Sequence, residues 1–141
     1  MKLRLAVLAD AVNTSQDGKL NLLGVFNTIY FHAMPEAIPA LHLVLRLEAD
    51  RDEWGVTKEL TVRLIDADGK TVVDVTGDIS VPASSLDPFL YVDQILSLEE
   101  IEFWRDGEYR FDILVDGQLL EPGVSFQVVW LGAEDPRNVL R

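Results

Sequence analysis

The chain has 141 residues, of which 48% are hydrophobic, and its 12 basic and 24 acidic residues give a formal net charge of −12. A chain of this size and hydropathy can bury a core of its own, and its acidic field repels phosphate groups. Nucleic acid and anionic membrane are therefore not expected partners. Because the chain contains no cysteine, disulfides and cysteine-ligated metals are excluded, and a cytoplasmic location is expected.

Apolar residues that alternate with polar ones dominate the sequence, as in β-strands whose two faces differ. The first segment, 2–12, alternates in this way with Leu3, Leu5, Val7 and Ala9 on the inner side, and its apolar run is too short for a signal peptide. Further strands are predicted at about 19–30, 41–49, 56–66 and 71–82. Residues 82–106 are less regular, as one or two short strands, a loop or a short helix would be.

Two more strands are predicted after this irregular region, separated by the hairpin turn Asp116-Gly117. The first carries Phe111 on its inner side, and the last carries Phe126, Val128 and Trp130. The pattern predicts an all-β fold, a two-layer antiparallel β-sandwich of seven to nine strands. We expect one domain over residues 1–131 and a flexible C-terminal tail over 132–141.

The segment Gly107-Glu108-Tyr109 resembles the start of strand F in immunoglobulin-like domains, where a tyrosine hydroxyl bonds back to the main chain. Tyr109 is therefore expected to be buried with its hydroxyl satisfied. The analogy concerns architecture only, because Phe111 stands where an antibody domain has cysteine. A C2-like sandwich remains an equal alternative.

No catalytic, cofactor-binding or metal-binding set emerges from the residue spacing. The acidic segments 50–53 and 66–68 suggest calcium, but they should fall at opposite ends of one strand and so could not share an ion. We therefore expect calcium to have no effect on the protein. His32 and His42 have no neighbouring ligands at metal-binding spacing, and serine lies in no nucleophile motif.

Apolar residues also occur at positions expected to face outward, and a contiguous exposed apolar patch usually marks an interface. These residues are Leu8, Leu23, Val25, Ile65, Leu114, Val129 and Leu131. From them, Leu23, Val25, Leu114 and Val129 are predicted to form one face that binds a protein partner or a second copy in a twofold homodimer. The predicted function is a non-catalytic protein-interaction or assembly module.

The alternative function is binding of a small ligand, carbohydrate or calcium, by the predicted loops 31–40 and 50–56. These loops carry Phe31, His32 and Trp54. No cofactor is expected in either case.

Several short segments resemble a family of uncharacterised small bacterial β-sandwich proteins, a domain of unknown function. The resemblance rests on Leu8-Ala9-Asp10, Gly18-Lys19-Leu20-Asn21, Gly24-Val25-Phe26, Ile29-Tyr30, Gly107-x-Tyr109-x-Phe111 and Val115-Asp116-Gly117. It covers most of the chain and implies a bacterial β-sandwich. It implies no activity and no functional residue.

Overall fold

The computed structural model describes residues 1–132, which form nine β-strands and a short 3-10 turn at Arg51–Glu53. The strands are β1 (Lys2–Thr14), β2 (Leu20–Phe26), β3 (Thr28–Phe31), β4 (Glu36–Ala49), β5 (Thr57–Ile65), β6 (Thr71–Ser80), β7 (Leu90–Phe103), β8 (Gly107–Val115) and β9 (Gln118–Trp130). All nine strands lie within the predicted domain boundaries of 1–131, and the division into one domain stays a prediction. The predicted tail lies, from residue 133 onward, outside the described residues.

The strands form two sheets, which confirms the predicted all-β sandwich. The four-stranded sheet has the order β2-β1-β4-β7, and the five-stranded sheet has the order β3-β9-β8-β5-β6. Neighbouring strands are antiparallel except β3 and β9, which run parallel. Each sheet therefore ends in two free edges, and β7 and β6 are the edges on one side of the sandwich.

The core lies between the sheets and is filled by the inward residues of every second position. The prediction is confirmed for β4, whose inward leucines are fully buried, and for β5 and β8. Tyr109 is also buried as predicted. Its hydroxyl donates a hydrogen bond to the carbonyl oxygen of Arg105 at 2.7 Å, and its ring packs edge-on against Phe103.

Strand β1 departs from the predicted pattern because its register against β4 shifts between Leu3 and Leu5. A bulge of this kind moves every following side chain to the other face. Leu8 was expected outside and is fully buried in the core. Leu5 and Val7, predicted inside, pair with outward residues of β4 and belong to the outer face.

Three predicted segments have other boundaries in the structure. The predicted strand 19–30 is two strands, because the chain leaves the four-stranded sheet after Phe26 and joins the five-stranded sheet at Thr28. The predicted loop 31–40 is short, since β4 already begins at Glu36. Most of the irregular region 82–106 is β7, a single strand of 14 residues. Trp130, predicted inside, is 55% exposed.

Candidate functional site

The residues of the predicted interface lie on two different sheets. Leu23 and Val25 are in β2 of the four-stranded sheet, whereas Leu114 and Val129 are in β8 and β9 of the five-stranded sheet. The prediction of one face that carries all four is therefore wrong. Sheet membership depends on long-range pairing, which alternation along one strand does not reveal.

The residues of the alternative ligand site also lie apart. Phe31 is buried against Phe103, next to the start of β4, and His32 follows it in the chain. Trp54 follows the end of β4, packs partly against the core and has Arg51 over its ring at 4.5 Å. The 14 residues of β4 separate the two ends by about 40 Å along the strand. One small ligand cannot contact both loops.

The carboxylates of Asp50, Asp52 and Glu53 come close enough together to be considered as metal ligands. Glu53, however, already pairs with the α-amino group of Met1 at 2.9 Å and with the ammonium group of Lys58 at 3.1 Å. Burial raises the pKa of Glu53, but these two cations and the amide of Asp50 outweigh it and lower the pKa to about 2. Two of the three carboxylates are thus engaged in ion pairs, because Asp50 also lies 3.7 Å from the α-amino group of Met1.

The second acidic turn lies at the other end of β5, as predicted. Asp66 accepts hydrogen bonds from the amides of Asp68 and Lys70, and Arg105 contacts both Asp66 and Asp68. The carboxylate of Asp66 thus stabilises the hairpin turn. This geometry supports the expected indifference to calcium, which stays a prediction.

Both histidine residues take part in a hydrogen bond within the described part of the chain. The Nδ1 atom of His42 lies 2.9 Å from the hydroxyl oxygen of Ser97, and the carbonyl oxygen of His32 accepts a hydrogen bond from Trp130. Among residues 1–132, neither ring belongs to a group of three or more metal-ligating side chains. The hydroxyl group beside His42 belongs to Ser97 on the neighbouring strand, and this pair is exposed.

The outer face of the four-stranded sheet holds the main cluster of apolar residues outside the core. We call this surface the apolar face. Its members are Leu5, Val7, Ala9, Leu23, Val25, Val44 and Ile95. The register places them in adjacent rows across the sheet, because Val44 lies between Val7 and Ile95 and because Ala9 pairs with Val25.

Side chains at the centre of the apolar face are shielded from solvent, whereas those on its edge strands are exposed. Ala9 and Val44 are almost fully covered by their neighbours, although they do not belong to the core between the sheets. Leu23 is 71% exposed, Val25 is 58% exposed and Ile95 is 41% exposed. Exposed apolar side chains on the edge strands β2 and β7 thus flank a centre that is shielded from solvent, and a contiguous apolar surface of this kind is typical of interfaces.

Two ion pairs lie at one end of the apolar face and neutralise its charges. Arg46 donates two hydrogen bonds to Asp93, at 2.7 and 2.9 Å, and its guanidinium lies 5.3 Å from the ring centre of Tyr91. Arg4 donates two to Glu48, at 3.0 and 3.2 Å. The bond to Asp93 raises the pKa of Arg46, and the bond from Arg4 lowers the pKa of Glu48. Each guanidinium group is thus matched by one carboxylate through two hydrogen bonds.

Sequence reasoning found Leu23 and Val25 but missed Val7, Val44 and Ile95. Val7 was hidden by the bulge in β1, which alternation alone does not show. Val44 gave a usable signal, because it interrupts the polar outer side of β4 between His42 and Arg46. Ile95 lies in the region whose strand was not recognised.

The nine strands in two sheets, one of which has an apolar outer face, define a small β-sandwich protein. Residues 4–129 match the family of unknown function DUF6941, and the chain belongs to that family. The expected resemblance to an uncharacterised family is thereby confirmed. A search of curated proteins finds no match. Within residues 1–132, no helix is long and apolar enough to cross a membrane.

Proposed function

We propose that this protein is a non-catalytic assembly module that pairs with a second copy of itself through the apolar face. The observation that carries the proposal is the combination of exposed apolar side chains and charge neutrality on this one surface. A twofold axis would let the same patch serve both copies. The proposal retains Leu23 and Val25 from the sequence prediction and replaces Leu114 and Val129 with residues of β1, β4 and β7.

Charge supports a second copy as the partner. Over the stretch opposite Ala40 to Glu48, the outer face of the four-stranded sheet carries three cations and three carboxylates, which cancel: Lys2, Arg4 and Arg46 against Glu48, Asp93 and Glu99. Glu102, beyond this stretch, adds a fourth carboxylate to the face. The whole chain has a net charge of −12, so two copies repel each other over most of their surface. A neutral face is the surface on which two such molecules can meet with the least repulsion.

The size of the face is also adequate. Strands about 4.8 Å apart make a sheet of four about 19 Å wide, and the paired stretch opposite Ala40 to Glu48 runs about 27 Å. The flat footprint is roughly 500 Å² before side-chain relief is counted. This is comparable to the roughly 800 Å² of accessible surface that each partner buries in a standard interface.

The remaining parts of the proposal are a cytoplasmic location, which the lack of cysteine favours, and the absence of catalysis. Ligand binding by the loops around Phe31 and Trp54 is not adopted, because β4 holds these residues at opposite ends.

Sedimentation equilibrium tests the proposal on the wild type and on variants with a charge in the apolar face. Val25→Glu combined with Ile95→Glu places four carboxylates in a twofold interface, and the dimer dissociation constant should rise at least about a hundredfold. Both side chains are exposed, so the monomer should remain folded. Leu119→Glu is the matched control, since Leu119 is 47% exposed on the other sheet.

A wild type that sediments as a monomer up to millimolar concentration contradicts the proposal. Equal weakening by Leu119→Glu would move the contact to the five-stranded sheet and contradict it as well.

A further inference from the structure

The free edges of β6 and β7 leave a groove between the two sheets, separate from the apolar face. We call it the edge groove; its volume is about 470 Å³. It is lined by Val72, Val73, Val75, Ser97, Leu98, Glu99, Glu100, Ile101, Glu102 and Trp104. Val75 lies on the inner side of β6 opposite Val62, yet it is 36% exposed, because the sheets do not close over it.

The edge groove combines apolar walls with carboxylates of one sign. Trp104, at its rim, is 68% exposed, which is unusual for so large an aromatic side chain. The three glutamates are exposed, and no lysine or arginine is among the lining residues. A ligand that fits must therefore offer apolar side chains together with positive charge.

We propose that the edge groove binds an extended, basic segment of a partner protein, which adds as a strand to the free edge of β6. Edge strands usually carry lysine or proline, which hinder strand addition. β6 contains neither residue, and all but two of its ten residues are exposed. Its main-chain donors and acceptors on that side have no strand partner in the sheets of residues 1–132.

β6 offers a regular edge from Val73 to Ser80, where its pairing with β5 has no register shift; the one shift lies at the start of the strand, opposite Leu64 and Ile65. Glu100 in β7 has a positive φ of 58°, a conformation that residues with a side chain rarely adopt. The alternation of β7 changes at this residue, since Leu98 before it and Ile101 after it both pack toward the core. β6 has no residue with positive φ.

Charge selects a basic partner over a second copy of the same chain. Asp74 and Asp78 alternate along β6, and two antiparallel β6 strands would bring such carboxylates together. Arginine or lysine side chains that point from an added strand into the edge groove would instead meet Glu99, Glu100 and Glu102. Trp104 supplies a ring face for one of these cations.

Isothermal titration calorimetry with the full chain tests the proposal with three probes. The first is a short peptide that alternates arginine and valine, the second has glutamate in place of arginine, and the third is the arginine peptide N-methylated at alternate amides. The arginine peptide should bind, and the glutamate peptide should not. N-methylation should weaken binding about tenfold or more, because it removes strand hydrogen bonds.

Two protein variants locate the binding. Trp104→Ala should weaken binding of the arginine peptide about tenfold. Trp130→Ala is the matched control, since it removes another exposed tryptophan, on β9 next to the opposite edge of the same sheet, and should change nothing.

Three results overturn the proposal. They are no binding of the arginine peptide, equal binding to Trp104→Ala and wild type, and equal binding of the N-methylated and unmodified peptides. None depends on whether the protein forms a dimer, because peptide binding is read per chain.

Discussion

The outer faces of the two sheets differ in chemistry although both belong to the same sandwich. The apolar face carries balanced charges at its ends and aliphatic side chains in its centre. The outer face of the five-stranded sheet carries Arg63 and Arg110 among a larger number of carboxylates, Glu59, Asp74, Asp78, Glu108 and Asp112. Here Arg63 bonds to Asp74, and Thr61 bonds to Thr76.

The difference is what the proposed pairing of two copies requires. A sheet face with charged and hydroxyl pairs is satisfied in water, whereas a neutral aliphatic face gains free energy by being covered. Under the proposal, repulsion between chains of net charge −12 would direct association to the neutral face. Three predictions test this comparison.

The largest predicted effect is a difference in the free energy of unfolding between substitutions on the two sides of β1. Leu8→Ala should lower the free energy of unfolding by about 3 kcal/mol, because Leu8 is fully buried between the sheets. Val7→Ala should cost less than about 1 kcal/mol at concentrations where the protein is monomeric, since Val7 lies on the apolar face. Urea unfolding of both variants measures this. The reverse order would mean that β1 has no bulge and that the apolar face is misassigned.

The next effect concerns the ion pairs of Glu53, which connect the two sheets. Glu53 bridges Met1, next to β1 of one sheet, and Lys58 in β5 of the other. Its pKa of about 2 in the folded protein lies below the ordinary 4.5, so its contribution is present above about pH 5 and is lost as the pH falls toward 2. Glu53→Gln should remove about 2–3 kcal/mol at neutral pH and flatten this acid loss.

Asp52→Asn is the matched control for Glu53→Gln, because Asp52 is an exposed neighbour in the same turn. It should leave both the neutral stability and the acid limb unchanged. Thermal melts across this pH range decide the matter, and identical acid limbs for wild type and Glu53→Gln would refute the bridging role.

The smallest effect compares one arginine from each outer face. Arg46→Gln breaks a two-bond pair with Asp93 and should cost about 1–2 kcal/mol, because Asp93 is left unpaired beside apolar residues. Arg63→Gln breaks one longer bond to Asp74, at 3.3 Å, on an exposed face and should cost about 0.5 kcal/mol or less. Chemical unfolding of the two variants gives both values. Equal losses in the free energy of unfolding would contradict the proposed difference between the two outer faces.

The sequence was sufficient for the fold class and for the inner sides of β4, β5 and β8, because strict alternation reports directly which side is buried. It was insufficient where the chain changes side or sheet. Around the bulge in β1, leucine occurs at both odd and even positions, so alternation does not show which side is buried. The segment from Val25 to Ile29 has the pattern of one continuous strand, although the chain crosses between the sheets at Asn27.

The candidate site was only partly predictable for the same reason. Leu23 and Val25 were recognised as outward apolar residues, but their neighbours on the surface come from β4 and β7, which are distant in the chain. Which strands lie side by side is decided by long-range pairing. The edge groove likewise exists because two consecutive strands, β6 and β7, are edge strands of different sheets on the same side of the sandwich, which alternation does not reveal.

The most direct measurement of the central claim is the change of methyl NMR shifts on dilution of the unmodified protein. From millimolar to micromolar concentration, the methyl groups of Leu23, Val25 and Ile95 should shift with one common midpoint, while those of Leu114 and Leu119 stay constant. Shifts confined to Leu114 and Leu119, or no shifts at any residue of the apolar face, would contradict pairing through that face.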